Sequence, residues 1–345
     1  MLRLAFDVQH GRRVFDERQR GRVPRLDRKD RPRPDSAGRV EFGLCGGHIM
    51  PIWMRLDAEG IRIIDVRDER AAVYMAHAYG QLSGKPGVAL VTAGPGVTNA
   101  MTGIANAHVS RAPVMILSGV PPRPQLNRGA LQDLDHVGMV KGITRFALTV
   151  HEAAQVPRAM NQAWAMALGG SGDEPGPVFL DFPTDTLRAD IAPAEHGDEH
   201  AHRVTRSEIR ADPTLVSEAA DLISHARRPL VIGGRGAREA KAELEEFLAA
   251  SGAVFLDTGE CKGVLADDHP GLVNAMRATA MGEADLVITL GRKLDFQLAY
   301  GSPAVFSAAR WLRIADNVAE LQDNRRGAVE LLTSPGLALR ALTAA

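Results

Sequence analysis

The chain has 345 residues, more than one compact domain normally holds, so about two domains are expected. Its 41 Lys and Arg balance 42 Asp and Glu for a formal net charge of −1, which gives no electrostatic case for a nucleic acid or an anionic membrane as partner. Two widely separated cysteines, Cys45 and Cys261, make neither a disulfide framework nor a zinc pattern. No apolar run approaches the roughly 20 residues of a membrane helix, so a cytoplasmic protein is expected.

In chain order, residues 1–40 come first. They are rich in Arg and Pro, carry interspersed acids and lack periodicity, and a disordered or atypical Arg-rich extension is expected there. The alternation of basic and acidic residues and the few aromatics argue against a nucleic-acid arm. From Val40 the texture changes. Ile61–Val66 is a short β-branched run, read as a buried strand. Arg67–Leu82 carries Ala72, Met75, Ala76 and Tyr79 at helical spacing. Val88–Thr92 reads as a strand, Val97–Val109 as a helix and Val114–Ser118 as a third strand. The turn-rich stretch Gly119–Gly142 follows, then a helix near Ala153–Leu168 and a strand at Val178–Phe182. Residues 189–212 have no period and read as a linker. Beyond it, Pro213–Ala226 and Ala237–Ala250 read as helices, and Pro229–Gly233, Val254–Asp257, Asp285–Gly291 and Trp311–Ile314 as strands. Strands alternating with helices imply an α/β protein of two parallel-sheet, three-layer domains.

Three constellations stand out. Asp65-Val66-Arg67-Asp68-Glu69-Arg70 lies where a strand gives way to a helix, on the sheet edge that open α/β folds use for ligands. An acid in a first helical turn is also ordinary dipole compensation, so position alone does not make Glu69 catalytic. Thr92-Ala93-Gly94-Pro95-Gly96-Val97-Thr98-Asn99 puts glycines at the next strand-to-helix junction. Its central proline removes a donor that a phosphate cradle needs, so a tight turn open to a backbone or a flat ring fits better. Asn127 to His136 occupies a loop long enough to be functional. Asp133, Asp135 and His136 invite a metal reading there, but alternating acids are common in solvated loops and no fourth ligand is indicated, so no metal ligand is assigned.

Taken together, CGGHIMPIW, DVRDERAAVYMAHAYGQLSG, GVALVTAGPGVTNAMTGIANAHVSRAPVMILSG, NRGALQDLDHVG and PGPVFLDFPTD resemble the pyrimidine-binding domain of thiamine-diphosphate enzymes, acetolactate synthases and 2-hydroxyacyl-CoA lyases above all. RRPLVIGGRGA, KGVLADDHP, ADLVITLGRKLDF and WLRIADN resemble the same family's central, Rossmann-like domain. The resemblance implies a pyrimidine-binding domain over 41–188 and a central domain over 213–345. It implies that Glu69 hydrogen-bonds N1′ of the cofactor's aminopyrimidine and favours the imino form that removes the thiazolium C2 proton. It further implies that Pro95 and Gly96 shape the wall beside the ring, that Asn99 supports that loop, and that Gln132 reaches the reacting centre. In the central domain, Gly233, Gly234, Gly236, Gly291 and Arg292 match positions that line an FAD or ADP site in some relatives; turns of an empty Rossmann-like domain are the plain alternative. Lys293-Leu294-Asp295-Phe296 departs from the family's Arg-Phe-Asp-Asp.

The family's diphosphate-binding domain carries a G-D-G and a later Asn that hold Mg²⁺ and the diphosphate, and no G-D-G occurs in this sequence. The expectation is therefore a subunit or truncated form that binds the pyrimidine end only, in a homodimer or tetramer, or beside a separate chain carrying the diphosphate domain and Mg²⁺. The substrate would be a 2-keto acid for acetolactate-type carboligation, or a 2-hydroxyacyl-CoA for C–C cleavage. A non-catalytic remnant or regulatory binding protein is the alternative from another class.

Overall fold

The computed structural model describes residues 40–170, 173–191 and 208–345. The chain divides into two compact units, Met1–Arg206 and Ser207–Ala345. All but the last residue of the expected extension, and most of the expected linker, lie outside the described residues.

The first unit is built on six strands: β1 (Val40–Leu44), β2 (Arg62–Asp65), β3 (Gly87–Val91), β4 (Val114–Val120), β5 (Phe146–Thr149) and β6 (Pro177–Pro183). They pair in the order β2-β1-β3-β4-β6-β5, every pair parallel. Each residue of β3, β4 and β6 is buried, as parallel strands with both faces covered require. Helices Glu69–Ser83 and Pro95–Val109 cover one face, packing Ala72, Val73 and Ile104 against Phe42, Val91, Ile116 and Phe179. Helices Met50–Ala58 and Val156–Ala167 cover the other, with Ile52, Leu56 and Met160 against Leu90, Leu117 and Leu180. Each such buried Leu, Ile or Phe contributes about 1.5–3 kcal/mol by leaving water.

The second unit has five parallel strands, β7 (Pro229–Gly233), β8 (Val254–Leu256), β9 (Leu286–Leu290), β10 (Arg310–Ala315) and β11 (Val329–Leu332), in the order β11-β10-β9-β7-β8. Helices Pro213–Ser224, Lys241–Ser251 and Pro335–Ala344 cover one face. On the other, Phe306 meets Trp311 edge-on at 4.9 Å between ring centroids, and the Arg325 guanidinium lies 5.2 Å from the Trp311 ring. Buried Arg313 on β10 is satisfied by Asp323 at 2.9 and 3.1 Å and Thr289 Oγ1 at 2.8 Å. Of the linker's described end, Ile209 donates its N–H to Ser334 Oγ at 3.0 Å and accepts from Thr333 Oγ1 at 2.8 Å.

Three strands lie outside the sequence reading: β1, whose VEFGL carries a Glu and a Gly, and the four-residue edge strands β5 and β11. The helix expected from Ala237 begins at Lys241, after a 3₁₀ turn over Arg235–Ala237. The helix expected from Val97 begins at Pro95, whose fixed φ and missing N–H suit the first helical position.

Candidate functional site

The carboxyl ends of β1, β2 and β3 assemble the site, because parallel pairing brings all three to one edge of the sheet. After β2, Asp68 caps the following helix by accepting from Arg70 N–H at 2.9 Å. Its carboxylate also pairs with the Arg70 guanidinium, a bond that holds it down to about pKa 2. Glu69 is then the first helical residue, and it is buried, 9% exposed. Asn99, one turn into the helix after β3, donates Nδ2–H to Glu69 Oε2 at 2.6 Å and lies 3.4 Å from Asp68 Oδ1. Glu69 Oε1 makes no hydrogen bond among the described residues. It faces Gly96, where a Cβ would stand 3.4 Å from that oxygen and 2.8 Å from Thr92 Cγ2.

The turn after β3 is fixed from two sides. Gly94 has φ +61°, a conformation that side-chain-bearing residues avoid. Its N–H donates to His136 Nε2 at 2.8 Å, and a Cβ on it would meet Gln132 Cβ at 2.8 Å. Gln132, itself at φ +62°, is 3.0 Å from His48 Nδ1 through its Oε1. His48 follows β1, and partial burial lowers its pKa below the ordinary imidazole value, the Gln132 hydrogen bond opposing that shift. His136 Nδ1 lies 3.1 Å from Asp181 Oδ2 on β6, both residues 1% exposed.

The structure thus brings Glu69, Asn99 and Gly96 together around one carboxylate, and joins Gln132 to His48 beside the same turn; Pro95 heads the helix between them. Sequence reasoning missed His48 and His136 as members of this cluster. The Gly-Gly-His run after β1 was the available signal for the first. The second was visible only as a metal candidate. The acids beside it are otherwise engaged: Asp133 accepts from Asn127 N–H at 2.5 Å and Asp135 caps Gly138 N–H at 2.8 Å. Among the described residues no group of three or more His, Cys, Asp or Glu is arranged to hold a metal ion.

At the corresponding edge of the second unit, Gly234 and Gly236 pack directly on Gly291, and Gly233 packs on the Phe255 ring and Cys261. The glycine amides are turned inward. Gly234 N–H donates to Leu290 O at 3.0 Å, Gly236 N–H to Gly291 O at 3.4 Å and Gly291 N–H to Ile314 O at 2.7 Å. Arg292, 2% exposed, is occupied by Asp295 at 2.9 and 3.0 Å and by Gln297 at 2.9 Å. These residues lie together at one edge of the sheet, with the three glycine amides engaged within the unit and Arg292 Nε without a hydrogen-bond partner among the described residues. Amides so engaged do not cradle an FAD or ADP phosphate.

Comparison with known proteins bears on both units. Residues 38–139 match the thiamine pyrophosphate enzyme N-terminal TPP binding domain, and residues 216–342 match the thiamine pyrophosphate enzyme central domain. The chain belongs to the thiamine pyrophosphate enzyme family. Within it, the chain is 33% identical over 291 residues to a probable acetolactate synthase of Mycobacterium bovis, covering 83% of this chain and 51% of that protein. It is 33% identical over 268 residues to a 2-hydroxyacyl-CoA lyase of Arabidopsis thaliana, covering 75% and 46% respectively. It is 31% identical over 297 residues to human 2-hydroxyacyl-CoA lyase 2, covering 76% and 46%. The chain spans about half the length of these curated relatives. The two parallel-sheet domains are the family's pyrimidine-binding and central domains. Among the described residues no helix is long and apolar enough to cross a membrane.

Proposed function

We propose that this chain supplies the pyrimidine-binding side of a thiamine-diphosphate-dependent enzyme of acetolactate synthase type, acting on a 2-keto acid, with Glu69 as the partner of the aminopyrimidine N1′. One observation carries the reading. Glu69, 9% exposed, is held through Oε2 by Asn99, while Oε1, without a hydrogen-bond partner among the described residues, faces Gly96. A carboxylate oxygen so placed accepts, and a ring nitrogen able to share a proton suits it.

When bound, the cofactor supplies the electron sink for making or breaking a carbon–carbon bond next to a carbonyl. The chain's own residues supply the rest. Glu69 holds a proton at N1′, Asn99 orients Glu69, and Pro95 and Gly96 form the wall against the ring. Gln132 and His48 stand together where a substrate oxygen or proton is handled. The depressed pKa of His48 keeps its ring neutral near pH 7, free to take up a proton. Mg²⁺ and the diphosphate would be held by the family's diphosphate-binding domain, whose G-D-G motif does not occur among these 345 residues. A second reading, 2-hydroxyacyl-CoA cleavage, is favoured by the equal 33% identity of the Arabidopsis relative.

The test is calorimetric titration of thiamine diphosphate with Mg²⁺ into the full chain, alone and with any polypeptide that co-purifies with it. Binding that weakens at least tenfold in Glu69→Gln supports the reading. No binding in either preparation, or unchanged affinity in the variant, overturns it in favour of a non-catalytic protein. Product analysis with pyruvate against a 2-hydroxyacyl-CoA then separates the two reactions.

A further inference from the structure

We infer that His136 is the positioning residue of this site: with its proton on Nδ1, it fixes both the Gly94–Pro95–Gly96 turn and the spacing between that turn and the loop bearing Gln132. The argument begins with what a backbone amide can do. An N–H group only donates, so the 2.8 Å contact from Gly94 N–H requires a lone pair on His136 Nε2. The ring proton is then on Nδ1, 3.1 Å from Asp181 Oδ2. Asp181 is fixed on β6, opposite Ser118 of β4, in the buried centre of the sheet. Asp181 therefore selects the tautomer, and the tautomer selects the acceptor that the turn receives. Phe179, two residues earlier on the same strand, closes on the imidazole edge-on, with ring centroids 6.3 Å apart at 74°.

The grip on Gly94 is double. His136 holds its amide, and Gln132, four residues earlier in the same segment, packs on its α-carbon so closely that a Cβ would meet Gln132 Cβ at 2.8 Å. Gly94 adopts φ +61° and ψ −113°, glycine has many alternatives to that conformation, and the buried hydrogen bond fixes the Ala93–Gly94 peptide from which the turn departs. The same histidine thereby sets where Pro95 and Gly96 stand relative to Glu69 and where Gln132 stands relative to both. The consequence for a bound ring rests on the proposed function; the grip itself does not.

The experiment reads the two separately in the full-length chain. Long-range proton–nitrogen NMR of the wild-type imidazole is expected to show His136 Nδ1 protonated and Nε2 unprotonated; a proton on Nε2 overturns the inference without any variant. In His136→Leu, exchange of the Gly94 amide with solvent is expected to accelerate about tenfold or more, the scale of one lost buried hydrogen bond. His136→Gln, which keeps an acceptor and a donor, is expected to recover most of that protection. Unchanged Gly94 exchange in His136→Leu overturns the inference. So does recovery no better in the Gln variant than in the Leu variant. If His136→Leu does not fold, Asp181→Asn takes its place, because an amide no longer dictates the tautomer, and unchanged Gly94 protection there overturns the inference equally. Failure of the wild-type chain to bind thiamine diphosphate would end the proposed function and leave these outcomes standing.

Discussion

Asn99 Nδ2 lies 2.6 Å from Glu69 Oε2, so the carboxylate at the mouth of the sheet is held by a residue 30 positions away, across a strand and two turns. The bond links the first turn of one helix to the first turn and a half of the next. It leaves a single carboxylate oxygen to face outward.

Asn99→Ala removes the only side-chain donor seen on Glu69 among the described residues. A hydrogen bond to a charged group contributes about 1.5–3 kcal/mol, so affinity for thiamine diphosphate is expected to fall roughly ten- to a hundredfold while the fold persists. Calorimetry of the variant checks the first half and its circular dichroism the second.

Gly96→Ala puts a methyl group 2.8 Å from Thr92 Cγ2 and 3.4 Å from Glu69 Oε1. Such overpacking costs about 1–3 kcal/mol. The expected outcome is a modestly lowered unfolding midpoint together with loss of cofactor binding, since the added carbon crowds the carboxylate. A variant that binds as well as the parent would show that Gly96 has no part in recognition.

Glu41 on β1 is fully buried, and among the described residues neither carboxylate oxygen has a hydrogen-bond partner. Burial raises its pKa from 4.5 to about 8. The folded state therefore keeps a proton that the unfolded chain gives up above 4.5. The stability associated with the neutral acid is complete below pH 4.5 and is lost as pH rises to about 8. Glu41→Gln is expected to be more stable than the parent at pH 8 by a few kcal/mol, about 4 at most, with the gap closing toward pH 5. Urea unfolding across that range reads the difference, and a gap that widens toward acid would contradict the assignment.

Glu174 receives two arginines, Arg111 at 2.7 Å and Arg145 at 2.5 Å, and Arg111 is buried with φ +53°. Removing the carboxylate takes away the acceptor that the two guanidinium groups share. Glu174→Ala is expected to destabilise the first unit by about 1.5–3 kcal/mol, the scale of a hydrogen bond to a charged group. Unfolding followed by a probe confined to that unit measures it; a loss below 1 kcal/mol would mean that water or another acceptor takes over.

Much of the architecture was legible because its signals were strong. The buried β-branched runs of β3, β4, β7 and β9 need no context, and the glycines around Pro95 announce a turn. Glu69, Asn99 and Gln132 were legible as candidate site residues only through the resemblance, since an acid in a first helical turn is common. What stayed hidden depended on long-range pairing. β1 carries a glutamate that no alternation rule places inside. β5 and β11 are edge strands too short to show a period. His136 meets Gly94 and Asp181 across 42 and 45 residues, and local pattern says nothing about either partner. The glycines of the second unit illustrate the converse: a nucleotide-lining turn and a turn of an empty Rossmann-like domain read alike in sequence, and only the folded chain shows them packing backbone on backbone.

Ser334 stands immediately before the final helix and, with Thr333, accepts and donates to the backbone of Ile209. A clasp of this kind makes the two extremities of the second unit interdependent. Ending the chain before Thr333 would release the opening residues as well, and a version begun at Glu208 would arrive with its own fastening already in place.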